Sequence, residues 1–177
     1  MTHKIKFSVT RPFGDRIHYI TEEDIRVVLS RLPEELWHRL REVHLNDQSR
    51  GVSRLGYVDQ GRKEISLCAL PPRISLARFL VKGQAPGTYG AKRGSQWPHF
   101  AVRRFMLYGT FLHELGHLQV INEDKKSARR KFAMDTLAFE FAVRWRKTLW
   151  SKHFSHSDPV HNRPSEEEFA LLNDDSL

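Results

Sequence analysis

Two histidines four residues apart, with a glutamate beside the first, are the residues of this chain whose types and spacing point most directly to chemistry: His113-Glu114-Leu115-Gly116-His117. On an α-helix, positions i and i+4 leave one face about 40° apart, so both imidazoles can reach a single Zn²⁺. Glu114 projects to one side of that metal, where its carboxylate can hold and deprotonate a water rather than act as a ligand. The context is helical, because Phe105, Met106, Tyr108, Phe111, Leu112, Leu115 and Leu118 recur at helix period through the motif. Three ionisable groups on so apolar a helix are costly unless something pairs them, and a metal ion would do so. Gly109, one turn before His113 on the same face, leaves space above that metal.

Catalytic zinc takes three protein ligands and keeps a further position for water, so one more ligand must follow His117. The candidates are Glu123, Asp124, Asp135, Glu140 and the histidines His153, His156 and His161. A second helix is expected over about 125–150, with an apolar arc of Phe132, Met134, Ala138, Phe139, Phe141, Ala142, Val143, Trp145 and Leu149. Asp135 falls within that arc and needs a partner there. Glu140 points about 140° away, near Thr136, Arg144 and Lys147, where an i,i+4 pair with Arg144 accounts for it. Ala138 and Ala142 flank Asp135, and their small size permits the close helix contact that a one-methylene carboxylate requires. Asp135 is therefore the chosen third ligand, with Glu140 the alternative.

The His113-Glu-Leu-Gly-His117 motif, followed by Asp135-Thr-Leu-Ala138-Phe-Glu-Phe141-Ala142, resembles the gluzincin arrangement, in which HExxH precedes an E-x-x-A-D/N-x-F-A segment on a second helix. The chain is similar to small HExxH domains of the minigluzincin, SprT-like and ImmA/IrrE-type metallopeptidases. Asp135 then stands where the family has a ligand glutamate, and Phe139 where it has an Asp or Asn that supports a zinc-bound histidine. The resemblance implies a zincin-like fold and a strand beside the cleft that pairs with an extended peptide substrate; Ile65 to Leu70 is the strand expected in that role.

The elements that must position these residues follow from the rest of the chain. Its 177 residues suffice for one domain, expected over residues 1–152 and followed by a polar acidic tail at 153–177. The fold class expected is α+β, with N-terminal helices, a short and mostly antiparallel sheet, and the HExxH helix packed on the second ligand helix. After a β-like start at Ile5, Phe7 and Val9, Thr21 to Asp24 resembles a capping box that opens a helix carrying Ile25, Val28, Leu29 and Leu32. A second helix is expected beyond Pro33, with Leu36, Trp37, Leu40 and Val43 inward. Short strands are read at His44-Leu45, Leu55 to Val58 and Ile65 to Leu70, the last two joined as a hairpin. Residues 83–98 hold four glycines and two prolines and read as a long loop leading to a metal helix over about 98–121. Tyr89, Lys92, Arg93 and Trp97 of this loop are candidate substrate contacts. Asn122 is read as the stop of the metal helix and Asp124 as the cap of the next.

No run approaches the ~20 apolar residues of a membrane span, no secretory signal is visible, and the single cysteine, Cys68, suits a reducing compartment, so a cytoplasmic location is expected. The net charge is +8, and setting aside the five acids of residues 165–177 leaves +13 on the remainder. Such a balance favours polyanions, either nucleic acid or an acidic protein. Arg103, Arg104, Arg129, Arg130, Lys131, Arg144, Arg146, Lys147 and Lys152 crowd the two principal helices. The function expected is zinc-dependent peptide hydrolysis with Glu114 as general base and Tyr89 and Tyr108 as unranked candidates for assisting the oxyanion. The alternative is a zinc-stabilised, non-catalytic module that binds DNA or protein through its basic surface, or an SprT-like protease acting on DNA-bound proteins.

Overall fold

The computed structural model describes residues 4–94, 96–119 and 128–173 of the chain. It is an α+β structure built on one four-stranded sheet: β1 (Lys6–Val9), β2 (Glu42–Asn46), β3 (Gly56–Asp59) and β4 (Glu64–Cys68), in the order β1-β2-β4-β3. β1 pairs with β2 and β2 with β4 in parallel, while only β3 and β4 are antiparallel. The expectation of a mostly antiparallel sheet is thus corrected. Its physical reason is the helix α1 (Glu22–Ser30), which carries the chain back across the sheet between β1 and β2, as a parallel pairing demands. The hairpin read between the Tyr57 and Ile65 runs is present, with Val58 opposite Ile65.

The capping box of α1 is formed: the Asp24 N–H donates to the Thr21 hydroxyl at 3.3 Å, and the Thr21 N–H donates to the Asp24 carboxylate at 2.9 Å. Ile25, Val28 and Leu29 are buried on its inner face. The helix expected after Pro33 is a single 3₁₀ turn, Glu34–Leu36, and Val43 belongs to β2. Leu40, Val43 and Leu45 are all buried, and that spacing suits the approach to a strand as well as a short helix stripe.

One unbroken helical run leads into the motif. It comprises α2 (His99–Phe105), a π-helical turn over Met106–Phe111, and α3 (Leu112–Gln119). The expected stop at Asn122 and cap at Asp124 lie outside the described residues. The second long helix, α4 (Ala128–Ser151), packs along α3. Gly116 makes that contact close: a Cβ there would lie 3.0 Å from both Cα and O of Ala138 and 3.1 Å from the Phe141 ring.

The segment expected to form a polar tail carries buried residues. Val160 and His161 are buried in a 3₁₀ turn, Pro159–His161, ahead of α5 (Glu166–Asn173). Arg103 joins this segment to α1 by bonding Asp24 at 2.9 Å and Asp158 at 2.8 Å. Arg104, fully buried, donates to the Pro159 carbonyl at 2.8 Å and faces Glu168 at 3.4 Å. Arg146 is also buried, donating to the Tyr89 hydroxyl at 2.6 Å. Arg104 and Arg146 thus belong to the interior, and Arg103, half-buried, is held in ion pairs. Among the described residues, no helix is long and apolar enough to cross a membrane.

Candidate metal centre

The geometry of α3 and α4 brings three donor atoms together. The Nε2 atoms of His113 and His117 are 3.1 Å apart, and Asp135 Oδ1 lies 3.2 Å from the first and 3.3 Å from the second. Three corners of a tetrahedron drawn about 2.0–2.1 Å from its centre lie about 3.3–3.4 Å apart, so these atoms have the spacing of three ligands around one small cation. The group could hold a metal ion. Glu140, the alternative ligand, is exposed on α4 and takes no part in the cluster. No ion pair joins it to Arg144 among the described residues; the Arg144 guanidinium lies instead 6.0 Å from the Phe141 ring centroid.

A one-methylene carboxylate reaches the imidazoles because the helices are close. Gly116 supplies no side chain and Ala138 only a methyl to hold them apart, and Asp135 lies one turn before Ala138 on α4. The histidines are positioned mainly by packing. The Phe139 ring lies 4.1 Å from that of His113, and His113 Nδ1 is buried with no hydrogen-bond partner among the described residues. Gln60, in the β3–β4 turn, donates to the His117 carbonyl at 2.8 Å and ties the hairpin to α3.

Electrostatics keep both imidazoles neutral, the form that binds a metal. Burial, reinforced by the neighbouring His117, pushes His113 down to about 4, and burial lowers His117 as well. Glu114 is buried beside them, and desolvation together with the charge of Asp135 pushes its carboxyl up to about 8. A cation among these donors would reverse that preference, because nearby positive charge favours the carboxylate.

The donors open onto a cleft. On one side is a cavity of about 560 Å³ lined by Gly109, Thr110, Phe79, Phe105, Phe139 and Val143; on the other is a recess of about 560 Å³ lined by Phe132, Met134 and Gln60. Val58, Lys131, His117 and Asp135 line both, so the cleft runs across the cluster. Phe132, expected in the apolar arc of α4, is 74% exposed at this recess. The flanking strand is β3, which lies at the edge of the sheet and supplies Gly56, Tyr57 and Val58. The expected strand, Ile65 to Leu70, is not available for pairing, because β4 is bonded by β2 on one side and β3 on the other.

The loop residues Tyr89 and Trp97 are buried in the core rather than presented to the cleft. Tyr108 is buried as well, with its hydroxyl 3.0 Å from His161 Nδ1 and its phenol pushed up to about 12 by burial. Neither tyrosine lines the cleft. Arg54 does, stacked 4.0 Å over the Tyr57 ring, and sequence reasoning missed it because a lone arginine ahead of a strand carries no pattern. A second group, Glu42, His44 and Glu64, has metal-ligand residue types on the sheet face opposite Val43 and Ile65. Both nitrogens of His44 are already engaged there, Nε2 with Glu64 at 3.2 Å and Nδ1 with the Ser8 hydroxyl at 2.5 Å, as in a cross-strand polar ladder.

Compared with known proteins, the chain matches no family model, no curated protein and no solved structure.

Proposed function

We propose that this chain is a zinc-dependent metallopeptidase of zincin-like fold, with His113, His117 and Asp135 as the metal ligands and Glu114 as the general base. The observation that carries the reading is the convergence of the three donor atoms within 3.1–3.3 Å beside a buried glutamate. A zinc ion bound there would act as a Lewis acid on a peptide carbonyl and make water acidic enough to react near neutral pH. Glu114 takes the proton of the attacking water and passes it to the leaving amine, an exchange its buried position shields from bulk solvent. The free edge of β3 holds an extended peptide by main-chain bonds along the cleft, a mode that selects little by sequence. Arg54 and Lys131 place positive charge along the same cleft, where they attract substrate carboxylates.

The reading in which the basic surface binds nucleic acid loses two of its cations to the interior, Arg104 and Arg146, while a third, Arg103, is already paired with Asp24 and Asp158. The deciding experiment measures zinc content and peptide cleavage together. Wild type should hold about one zinc per chain and cleave an unstructured protein, and Glu114→Gln should keep the zinc and lose the cleavage. A metal-free wild type, or cleavage undiminished in the variant, overturns the proposal.

A further inference from the structure

On α4, about three turns beyond Asp135, a separate cavity of about 810 Å³ is lined by Arg146, Lys147, Trp150 and Ser151 of α4, Gly83, Gly87 and Thr88 of the loop, and Arg163 to Glu166 ahead of and at the start of α5. Its chemistry differs from that of the metal centre. Among the described residues that line it, three side chains are cations and Glu166 is the single acid, leaving a net charge of about +2 if all are ionised. Arg146 is 95% buried by the 5% exposure of its surface, yet no carboxylate pairs with it among the described residues. Its neighbours are the Tyr89 hydroxyl at 2.6 Å and the aromatic rings of Tyr89 and Trp150, at 5.3 and 5.6 Å from the guanidinium carbon.

A guanidinium removed from water without a counter-charge is costly, and ring faces and one neutral hydroxyl compensate it only in part. Arg104, the other buried arginine among the described residues, faces a carboxylate. Arg146 therefore has the position of a cation whose partner comes from outside the chain. Lys147 and Arg163 add charge at the exposed part of the same cavity, and Thr88 and Ser165, whose hydroxyls accept backbone N–H bonds, add O–H groups able to donate to an oxyanion.

We propose that this cavity is a binding site for a phosphate group, in which Arg146 meets the phosphate oxygens and Lys147 and Arg163 complete the charge. A dianion matches the net charge of the lining, and the volume exceeds what phosphate alone requires, leaving space against Trp150 for an attached organic group. The site is independent of the proposed peptidase activity.

The test is titration of the purified full chain at constant ionic strength with inorganic phosphate and, separately, with a nucleoside monophosphate, followed by calorimetry and by melting temperature. The titrations are repeated in Asp135→Ala, so that phosphate bound at a metal is not counted. Saturable binding that persists in Asp135→Ala and weakens at least tenfold in Lys147→Gln/Arg163→Gln, two exposed positions, is the expected result. Arg146→Met should abolish binding while remaining folded by circular dichroism; if it unfolds, the double variant alone decides. Tighter binding of the nucleotide assigns the remaining volume to an organic group, whereas equal affinities assign the site to free phosphate. No saturable binding in wild type, or equal binding in the double variant, overturns the proposal.

Discussion

Gly116→Ala tests whether the short ligand depends on a close helix contact. The added Cβ would lie 3.0 Å from Cα and O of Ala138, both backbone atoms that no rotamer change can move. Ordinary carbon contacts begin near about 3.5 Å, so α3 and α4 must part by about half an ångström along this line. That displacement acts directly on the distances of 3.2 and 3.3 Å between Asp135 Oδ1 and the two imidazoles. Overpacking of this kind costs about 1–3 kcal/mol of stability. Zinc affinity should fall by about 10–100-fold, the scale on which disturbed ligand support is felt. Competition with a chromophoric chelator measures the affinity, and the melting temperature of chelator-treated protein reports the packing cost separately. Asp135→Glu, made in the Gly116→Ala background, adds one methylene of reach and should recover part of the lost affinity. Wild-type zinc affinity in Gly116→Ala would show that the helix spacing does not govern binding at Asp135.

Removal of either imidazole, by His113→Ala or His117→Ala, should abolish zinc retention through gel filtration, as metal analysis of the eluted protein will show. Glu140→Ala should leave zinc affinity unchanged and alter stability by no more than about 0.5 kcal/mol, because this exposed acid has no ion-pair partner among the described residues; calorimetry with and without metal checks both. In metal-free protein, the Glu114 carboxyl is pushed up to about 8 from an ordinary 4.5, so the folded state holds the extra proton and the contribution of this group declines from about pH 4.5 to 8; His113, pushed down to about 4 from 6.5, opposes it at the acid end, so the net decline falls between about pH 6.5 and 8. Urea denaturation of the chelator-treated Glu114→Gln variant should lack that decline and exceed wild type by a few kcal/mol at pH 8.

The local features of the fold are legible where neighbouring residues determine them. Thr21 and Asp24 close their capping box within four residues, and the β3–β4 hairpin spans a short turn. The parallel order of the sheet is not legible, because the pairing of His44 with Ser8 and Ser66 depends on where two crossovers carry the chain. Tyr89 and Trp97 sit in a glycine-rich stretch without periodicity, yet both are buried against Phe105, at ring separations of 4.8 and 5.7 Å. Arginine is read from sequence as a surface residue, and only the distant Glu168 and Tyr89 show why Arg104 and Arg146 lie inside.

The candidate site is legible in proportion to how much of it lies on two helices. The i,i+4 spacing orients His113 and His117, and the helix phase of α4 turns Asp135 rather than Glu140 toward them. What spacing could not supply is the compensation for two departures from a gluzincin-like pattern. The short side chain of Asp135 is accommodated by the close Gly116–Ala138 contact, and His113 Nδ1 has no hydrogen-bond partner among the described residues while its ring packs on Phe139. Packing restrains the plane of an imidazole, but it does not select which nitrogen carries the proton or raise the basicity of the other as a hydrogen bond to a carboxylate does. A metal held here would therefore owe its position to the rigidity of the α3–α4 contact, which the glycine between the two histidines makes close.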